Sequence, residues 1–267
     1  MVTIVTSLYD IGRSKIDGRS WDNYLEWFKK TLSLNAPFVI FVDESLKKFV
    51  EDTRGDKPTK IITEPLENIP YYYLKDRMDL VINSSEYKKF IKDSNRIECR
   101  SSLYNCIQYS KFKWMLTASK INFFNSEYFI WMDAGLSRFF SNLDTYATYP
   151  GKNAQKILLQ NKDKILIQVF ESFYPDLFYA VDLTEKYLYD NRSYVMGGML
   201  GAGIKALESI NTIIDNMLEE EMLSKNLINN EQIALGFLWK KNPSLFFPFI
   251  NKKNIHRSYE LINQLSY

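Results

Sequence analysis

Two stretches of the sequence put chemically capable side chains where a ligand could reach them. In "YFIWMDAGLSRF" (128–139) an apolar run ends on a carboxylate, Asp133, followed at once by Ala134 and Gly135. A strand-end aspartate with small neighbours leaves room for a divalent ion and a diphosphate, because bulky hydrated groups can approach it. A lone carboxylate is a poor cage, and capping a helix or bonding a turn is the alternative role. In "SLYDIGRSK" (7–15) a carboxylate, a glycine and two cations follow the first apolar run. Arg13 offers a planar fork for phosphate oxygens, Lys15 a mobile point charge and Gly12 a close backbone approach. A solvated turn is the alternative, and without G-K-[ST] the loop is not a P-loop.

Three later features are weaker. Gly201 to Ala206 in "GGMLGAGIKA" match a dinucleotide fingerprint, but they come late, and the following helix does not lead to a second strand ending in an acid. Gly197 and Gly198 would instead form a wall along which a ligand lies against backbone, or serve as turn glycines. "NNEQIA" puts Glu231 and Gln232 at a helix start, where an acid also favours the helix dipole. His256 reads as a surface histidine or as a metal ligand carried back by the chain end.

Composition narrows the classes. The 267 residues, 46% hydrophobic, can bury a large core, and one compact domain is expected over 1–267. With 34 basic against 32 acidic residues there is no global electrostatic footprint for nucleic acid, which is not expected as a partner. Cys99 and Cys106 have only one histidine to help them, so a Cys/His zinc site cannot be assembled and reduced thiols are expected. No apolar run approaches the ~20 residues of a membrane helix, and the N-terminus does not read as a signal peptide. A cytoplasmic protein without a transmembrane segment is expected, with peripheral membrane contact left open. The 18 Tyr, 18 Phe and 5 Trp suit either a bulky core or an aromatic cleft for a sugar or base.

The elements that must position these residues alternate. "VTIVTSLY" reads as a strand. Trp21, Tyr24, Leu25, Phe28 and Leu32 recur at helical spacing after a Ser20 cap, and "PFVIFVD" is a second strand. "SLKKFVEDTRG" makes a short helix closed by Gly55, and "TKIITE" a third strand. This βαβαβ opening predicts a mainly parallel sheet flanked by helices. Residues 103–121 read as a helix leading into the strand that ends at Asp133. Further on, 164–170 and 193–200 read as strands, 204–223 as an amphipathic helix, "NNEQIALGFLWKKN" as a shorter helix and "SLFFPFI" as an extended piece. Open α/β sheets place ligands beyond the carboxyl ends of their strands, where Asp10, Asp43 and Asp133 fall.

With those residues in place, the pattern resembles the GT-A fold of nucleotide-sugar glycosyltransferases. "TIVTSLYDIGR", the "W..YLEWF" helix, "PFVIFVDE" and "WMDAG.SR" are similar in particular to the HtrL/YibB-like (WlaTC-like) bacterial family, associated with surface-polysaccharide loci. The resemblance implies a GT-A-like sheet with a nucleotide-sugar-binding half (1–140) and an acceptor-binding half (141–267). It implies a glycosyltransferase that moves a sugar from a nucleotide-diphosphate donor, UDP-sugar favoured, to a glycan acceptor. Asp133 matches the first aspartate of an Asp-x-Asp metal motif and Gly135 stands in the place of the second. Either Mn2+ or Mg2+ is then held by Asp133, diphosphate and water, with His256 as a further ligand, or no metal is obligatory. Thr6, Tyr9, Asp10 and Arg13 match the nucleotide loop, joined by Lys15. Lys113 resembles a lysine that some such enzymes carry before the metal strand. "GGMLGAG" resembles the acceptor-side glycines, and Glu231 and Gln232 the pair near the transferred sugar, as base or as support for an oxocarbenium-like centre. A non-catalytic nucleotide-sugar or glycan-binding protein on the same scaffold, and a nicotinamide enzyme using Gly201 to Ala206, are the competing readings.

Overall fold

The structure is a computed structural model that describes residues 1–170, 185–190, 193–251 and 259–267. Its elements run β1 (Val2–Leu8), α1 (Arg13–Ile16), α2 (Trp21–Leu32), β2 (Phe38–Val42), α3 (Glu44–Arg54), β3 (Thr59–Thr63), α4 (Lys75–Asn83), α5 (Ser85–Phe90), α6 (Ser102–Ile121) and β4 (Tyr128–Met132). The second half adds α7 (Lys152–Gln160), β5 (Ile165–Phe170), β6 (Val195–Gly203), α8 (Ile204–Asn216), α9 (Glu231–Lys241), β7 (Phe246–Asn251) and α10 (Glu260–Gln264).

The strands form one seven-stranded sheet in the order β3-β2-β1-β4-β6-β5-β7. β1 pairs in parallel with β2 and β4, β2 with β3, and β5 with β7, whereas β6 runs antiparallel to both β4 and β5. This is the expected mixed, mainly parallel sheet flanked by helices. Strands buried on both faces read as continuous apolar runs, and alternate residues serve opposite layers. Val2, Ile4 and Leu8 of β1 and Tyr128, Ile130 and Met132 of β4 enter one core, packed with residues of α2, α3, α7 and α10. Val5, Phe129 and Trp131 enter the other, with α6, α8 and α9. The same alternation, continued by one residue, puts Asp133 on the α6 side of the sheet.

β2 leaves β1 towards one edge and β4 flanks β1 on the other side, so the connections after β1 and β4 diverge and open a crevice at their carboxyl ends. Asp43 does not join it. Its carboxylate accepts Ser45 N at 2.9 Å and caps α3.

The glycine-rich stretch of the second half is no phosphate loop, as its late position suggested. Gly201 to Gly203 lie within β6, which runs three residues beyond the expected strand, and α8 begins at Ile204. A Cβ at Gly201 would stand 2.8 Å from the Tyr128 ring, and one at Gly203 would stand 2.7 Å from Lys162 O. Close packing between strands accounts for both. The helix expected over 204–223 is α-helical to Asn216 and continues as a wider π turn, Met217–Met222.

One buried cation ties the α2–β2–α3 corner. Arg54, 1% exposed, donates to Leu32 O (2.7 Å), Leu34 O (2.8 Å), Ala36 O (2.7 Å), Pro58 O (3.0 Å) and Thr59 Oγ1 (2.8 Å). Its guanidinium also lies 4.5 Å from the Phe38 ring centroid. Removing it orphans buried carbonyls, at roughly 1–3 kcal/mol for each group left without another partner. Arg54→Met is therefore expected to lower stability by about 3 kcal/mol in urea unfolding. A loss below about 0.5 kcal/mol, the range of ordinary surface substitutions, would contradict this account.

Candidate active site

The crevice is a cleft of about 150 Å³ lined by Ser7 to Ile11, Arg13, Ser14, Arg19, Trp21 and Tyr24 from the first segment, by Tyr104, Ile107 and Gln108 of α6, and by Trp131, Asp133, Ala134, Gly135 and Arg138. Among the expected residues it brings together Tyr9, Asp10, Arg13, Asp133 and Gly135.

Asp133 is pinned from three directions. Its backbone N donates to Gly198 O at 2.9 Å, the Trp131 indole donates to Oδ1 at 2.6 Å, and Lys111 Nζ stands 3.6 Å from the same oxygen. The carboxylate stays 36% exposed to the cleft. Trp131 is itself stacked on Trp114 (5.9 Å, 7°), which stacks on Tyr9 (5.7 Å, 8°). Glu64 at the end of β3 accepts from Trp114 Nε1 at 2.5 Å and from the Tyr9 hydroxyl at 3.2 Å. An aromatic ladder under α6 thus sets both Tyr9 and Asp133, and it absorbs part of the high aromatic content. Two residues beyond the Val5–Trp131 pairing, the same register aligns Ser7 with Asp133. The Ser7 hydroxyl is buried, faces the cleft and has no hydrogen-bond partner.

The lysine at the site is Lys111, not Lys113. Lys111 is fully buried and donates to Glu231 Oε1 (2.8 Å) and Gly197 O (3.0 Å) as well as facing Asp133. Burial pulls its ammonium down, but the Asp133 and Glu231 carboxylates outweigh it and hold the group above the ordinary lysine value. Burial pushes the Glu231 carboxyl up, opposed by Lys111 and reinforced by Asp133. Lys113 pairs with Asp215 at 2.5 Å, outside the cleft. The reason is helical phase: a step of two residues turns a side chain by about 200°. Tyr104, Gln108 and Lys111, at i, i+4 and i+7, share one stripe, of which the first two line the cleft and Lys111 lies buried beside Asp133, a signal already present in the sequence.

Glu231 and Gln232 reach this centre from behind. Asn230 caps α9, its side chain accepting from Ile233 N at 3.1 Å, and Glu231 in the first turn is 1% exposed and absent from the cleft wall. Against the expectation of an accessible base, Glu231 is a buried carboxylate in contact with Lys111. Its Oε2 has no hydrogen-bond partner. Gly197 and Gly198 are no open wall either. The space a Cβ would take at Gly197 holds the Glu231 carboxylate and Gln232 Cγ, and that at Gly198 holds the Tyr259 hydroxyl, 2.7 Å away.

The remaining residues disperse. Thr6 lies within β1 with its hydroxyl buried and unpartnered, Lys15 is exposed on α1, and neither lines the cleft. Asp10 Oδ1 accepts Gly12 N at 2.8 Å, ordering the loop. Arg13 lines the cleft but is held by Asp17 and by the Tyr24 hydroxyl (2.6 Å). His256 falls outside the described residues. Among the described residues no three His, Cys, Asp or Glu side chains converge as a metal site. Among the described residues Asp133 offers a single carboxylate with an ammonium beside it, a donor set that by itself does not fit a resident divalent ion.

Removing one partner of a buried pair leaves an uncompensated charge, whereas removing both relieves it. Lys111→Met is therefore expected to lose about 3 kcal/mol in urea unfolding, and Lys111→Met with Glu231→Leu to regain more than half of it. Strictly additive losses would show that the pair is not coupled.

Among the described residues no helix is long and apolar enough to cross a membrane. In fold comparisons the chain is similar to mouse xyloside xylosyltransferase 1 in its apo form (10% identical, 93% of this chain and 84% of that chain, TM-score 0.45). It is similar also to 4-diphosphocytidyl-2C-methyl-D-erythritol synthase from Anaerococcus prevotii DSM 20548 (11%, 99% and 94%, 0.39). A third likeness is to a glycosyltransferase involved in glycosylating the major capsid of PBCV-1 (13%, 94% and 80%, 0.35). These superpositions are loose, and the functional reading rests on the chain's own residues. In sequence the chain is 22% identical over 272 aligned positions to Protein HtrL of Escherichia coli (strain K12), covering 91% of this chain and 86% of that protein. The profile described as "Bacterial protein of unknown function (HtrL_YibB)" matches residues 1–256, and the chain belongs to that family.

Proposed function

We propose that the protein is a glycosyltransferase, moving a sugar from a nucleotide-diphosphate donor, UDP-sugar favoured, to a glycan acceptor in surface polysaccharide or glycoconjugate synthesis. The observation that carries this reading is Asp133: a carboxylate immobilised at the end of a central strand, facing a cleft between the ends of β1 and β4. Donor hydroxyl groups are the natural hydrogen-bond partners of such an acceptor, and a rigid acceptor fixes the donor without reorganising during reaction. The resemblance of the opening segments to nucleotide-sugar transferases supports the same reading.

In the transfer, the bond from the anomeric carbon to the phosphate oxygen breaks and its electron pair leaves with the diphosphate. An acceptor hydroxyl oxygen bonds to that carbon, and its proton passes to Asp133, the carboxylate exposed to the cleft, which Lys111 links to the buried Glu231. Lys111 holds Asp133 in place from 3.6 Å, and Gln232 packs its Cγ beside Glu231 into the space at Gly197. A second reading, a nucleotide-sugar-binding protein without turnover, is favoured by the glycine at position 135 and by the burial of Glu231.

Calorimetric titration with UDP, GDP, CDP and NAD, followed by donor turnover assays with a mixed glycan acceptor pool, separates these. The expected result is binding of one nucleoside diphosphate, turnover of its sugar conjugate and a fall in turnover of about a hundredfold or more in Asp133→Ala. Near-normal turnover in Asp133→Ala would contradict the role of Asp133. Binding without turnover selects the second reading, and binding of NAD alone removes both.

A further inference from the structure

The segment that follows Asp133 carries a cation that the cleft does not neutralise. Ala134–Phe139 forms a tight 3-10 strap fastened to α2: Thr31 Oγ1 donates to Ala134 O at 2.9 Å and Ser137 Oγ to Trp27 O at 2.7 Å. From that strap Arg138 Nε donates to Gly135 O at 2.8 Å, and its guanidinium lies 4.6 Å from the Trp27 ring centroid and 5.3 Å from that of Phe139. Backbone and two rings therefore orient the planar fork before any ligand arrives, which limits the entropy lost on binding. Arg138 makes no salt bridge among the described residues.

Arg19 faces the same cleft. Its carboxylate contact is Asp17 at 3.9 Å, a group already taken by Arg13. Burial first, and then the neighbouring charge of Arg19, depress the Arg138 guanidinium below its ordinary value, against a weaker opposing pull from Tyr24, Asp133 and Tyr259. Two like charges thus line one cleft and act on each other, an arrangement that an anion between them would relieve. At Gly135, the place of the second metal-binding acid, a Cβ would stand 3.4 Å from Trp27 and 3.7 Å from Arg138, so any side chain would start against the groups that order the fork.

We propose that Arg138 and Arg19 form a clamp for the donor's diphosphate that does the work of a bound metal, with Asp133 left to the hydroxyl groups of donor and acceptor. This rests on the reading of the cleft as a nucleotide-sugar site. Loss of the nucleotide builds negative charge on the leaving phosphate oxygen, and a bidentate guanidinium meets that charge with two donors in one plane.

The test is calorimetry of inorganic pyrophosphate, and separately of UDP, GDP and CDP, on the full chain with EDTA or with manganese. Wild type is expected to bind pyrophosphate in EDTA, with affinity about tenfold weaker in Arg138→Ala and in Arg19→Ala, and only partly restored in Arg138→Lys, which lacks the fork. Near-UV circular dichroism identical to wild type confirms that the variants are folded. Pyrophosphate binding that requires manganese, that is absent in both conditions, or that is indifferent to both arginine substitutions would overturn the clamp. Pyrophosphate binding lost in Arg138→Ala, with no nucleoside diphosphate bound, would uphold the clamp while removing the nucleotide-sugar reading.

Discussion

The arrangement depends first on one ammonium group placed where water cannot reach it. Lys111 joins α6, the end of β4, the strand β6 and the first turn of α9 through its contacts with Asp133, Gly197 O and Glu231. A buried cation is tolerated only when its donors are satisfied and its charge is matched, so each neighbour is constrained in turn. Gly197 has no side chain because Glu231 and Gln232 occupy its space. Asn230 caps α9, and its amide donates to the buried Glu98 at 2.7 Å, which fixes the turn that carries Glu231.

Around that ion pair, packing supplies the rigidity. The stack of Tyr9, Trp114 and Trp131 fills the space between α6 and the sheet, and the last ring donates its indole hydrogen to Asp133. Orientation of the acid is thus a consequence of core packing, in which rings cannot rotate without opening a void. On the opposite side of Asp133 the strap to Arg138 is bonded to α2. Over the six residues from Asp133 to Arg138 the chain passes from an ordered acceptor to an ordered donor. That polarity suits a ligand with hydroxyl groups at one end and phosphate at the other.

Much of this was written in the sequence. The place of Asp133 at a buried strand end was legible from the apolar run before it, although the same pattern at Asp43 serves as a helix cap, and the βαβαβ opening carried strong periodicity, caps and turn residues. The parallel sheet and its crevice follow from those elements by general rules of chain connection. Other residues were not placed, for identifiable reasons. Gly201 to Gly203 satisfy a dinucleotide spacing that the sequence context already disfavoured, but the pattern itself cannot tell a loop from a strand in close contact with a neighbour. Lys113 and Lys111 differ only in helical phase, and the stripe of Tyr104, Gln108 and Lys111 was available to separate them.

What the sequence determined by itself was the set of elements, because their information is local: period, cap and turn chemistry act over a few residues. What tertiary structure alone decided was the pairing of charges across long separations. Lys111 meets Glu231 across 120 positions, Arg13 is diverted to Asp17 and Tyr24, and Arg138 and Arg19 are left facing the same cleft. Charges carry no periodic signature, and their partners are set by which helix crosses which strand end at a few ångströms, where the low dielectric makes each pairing strong.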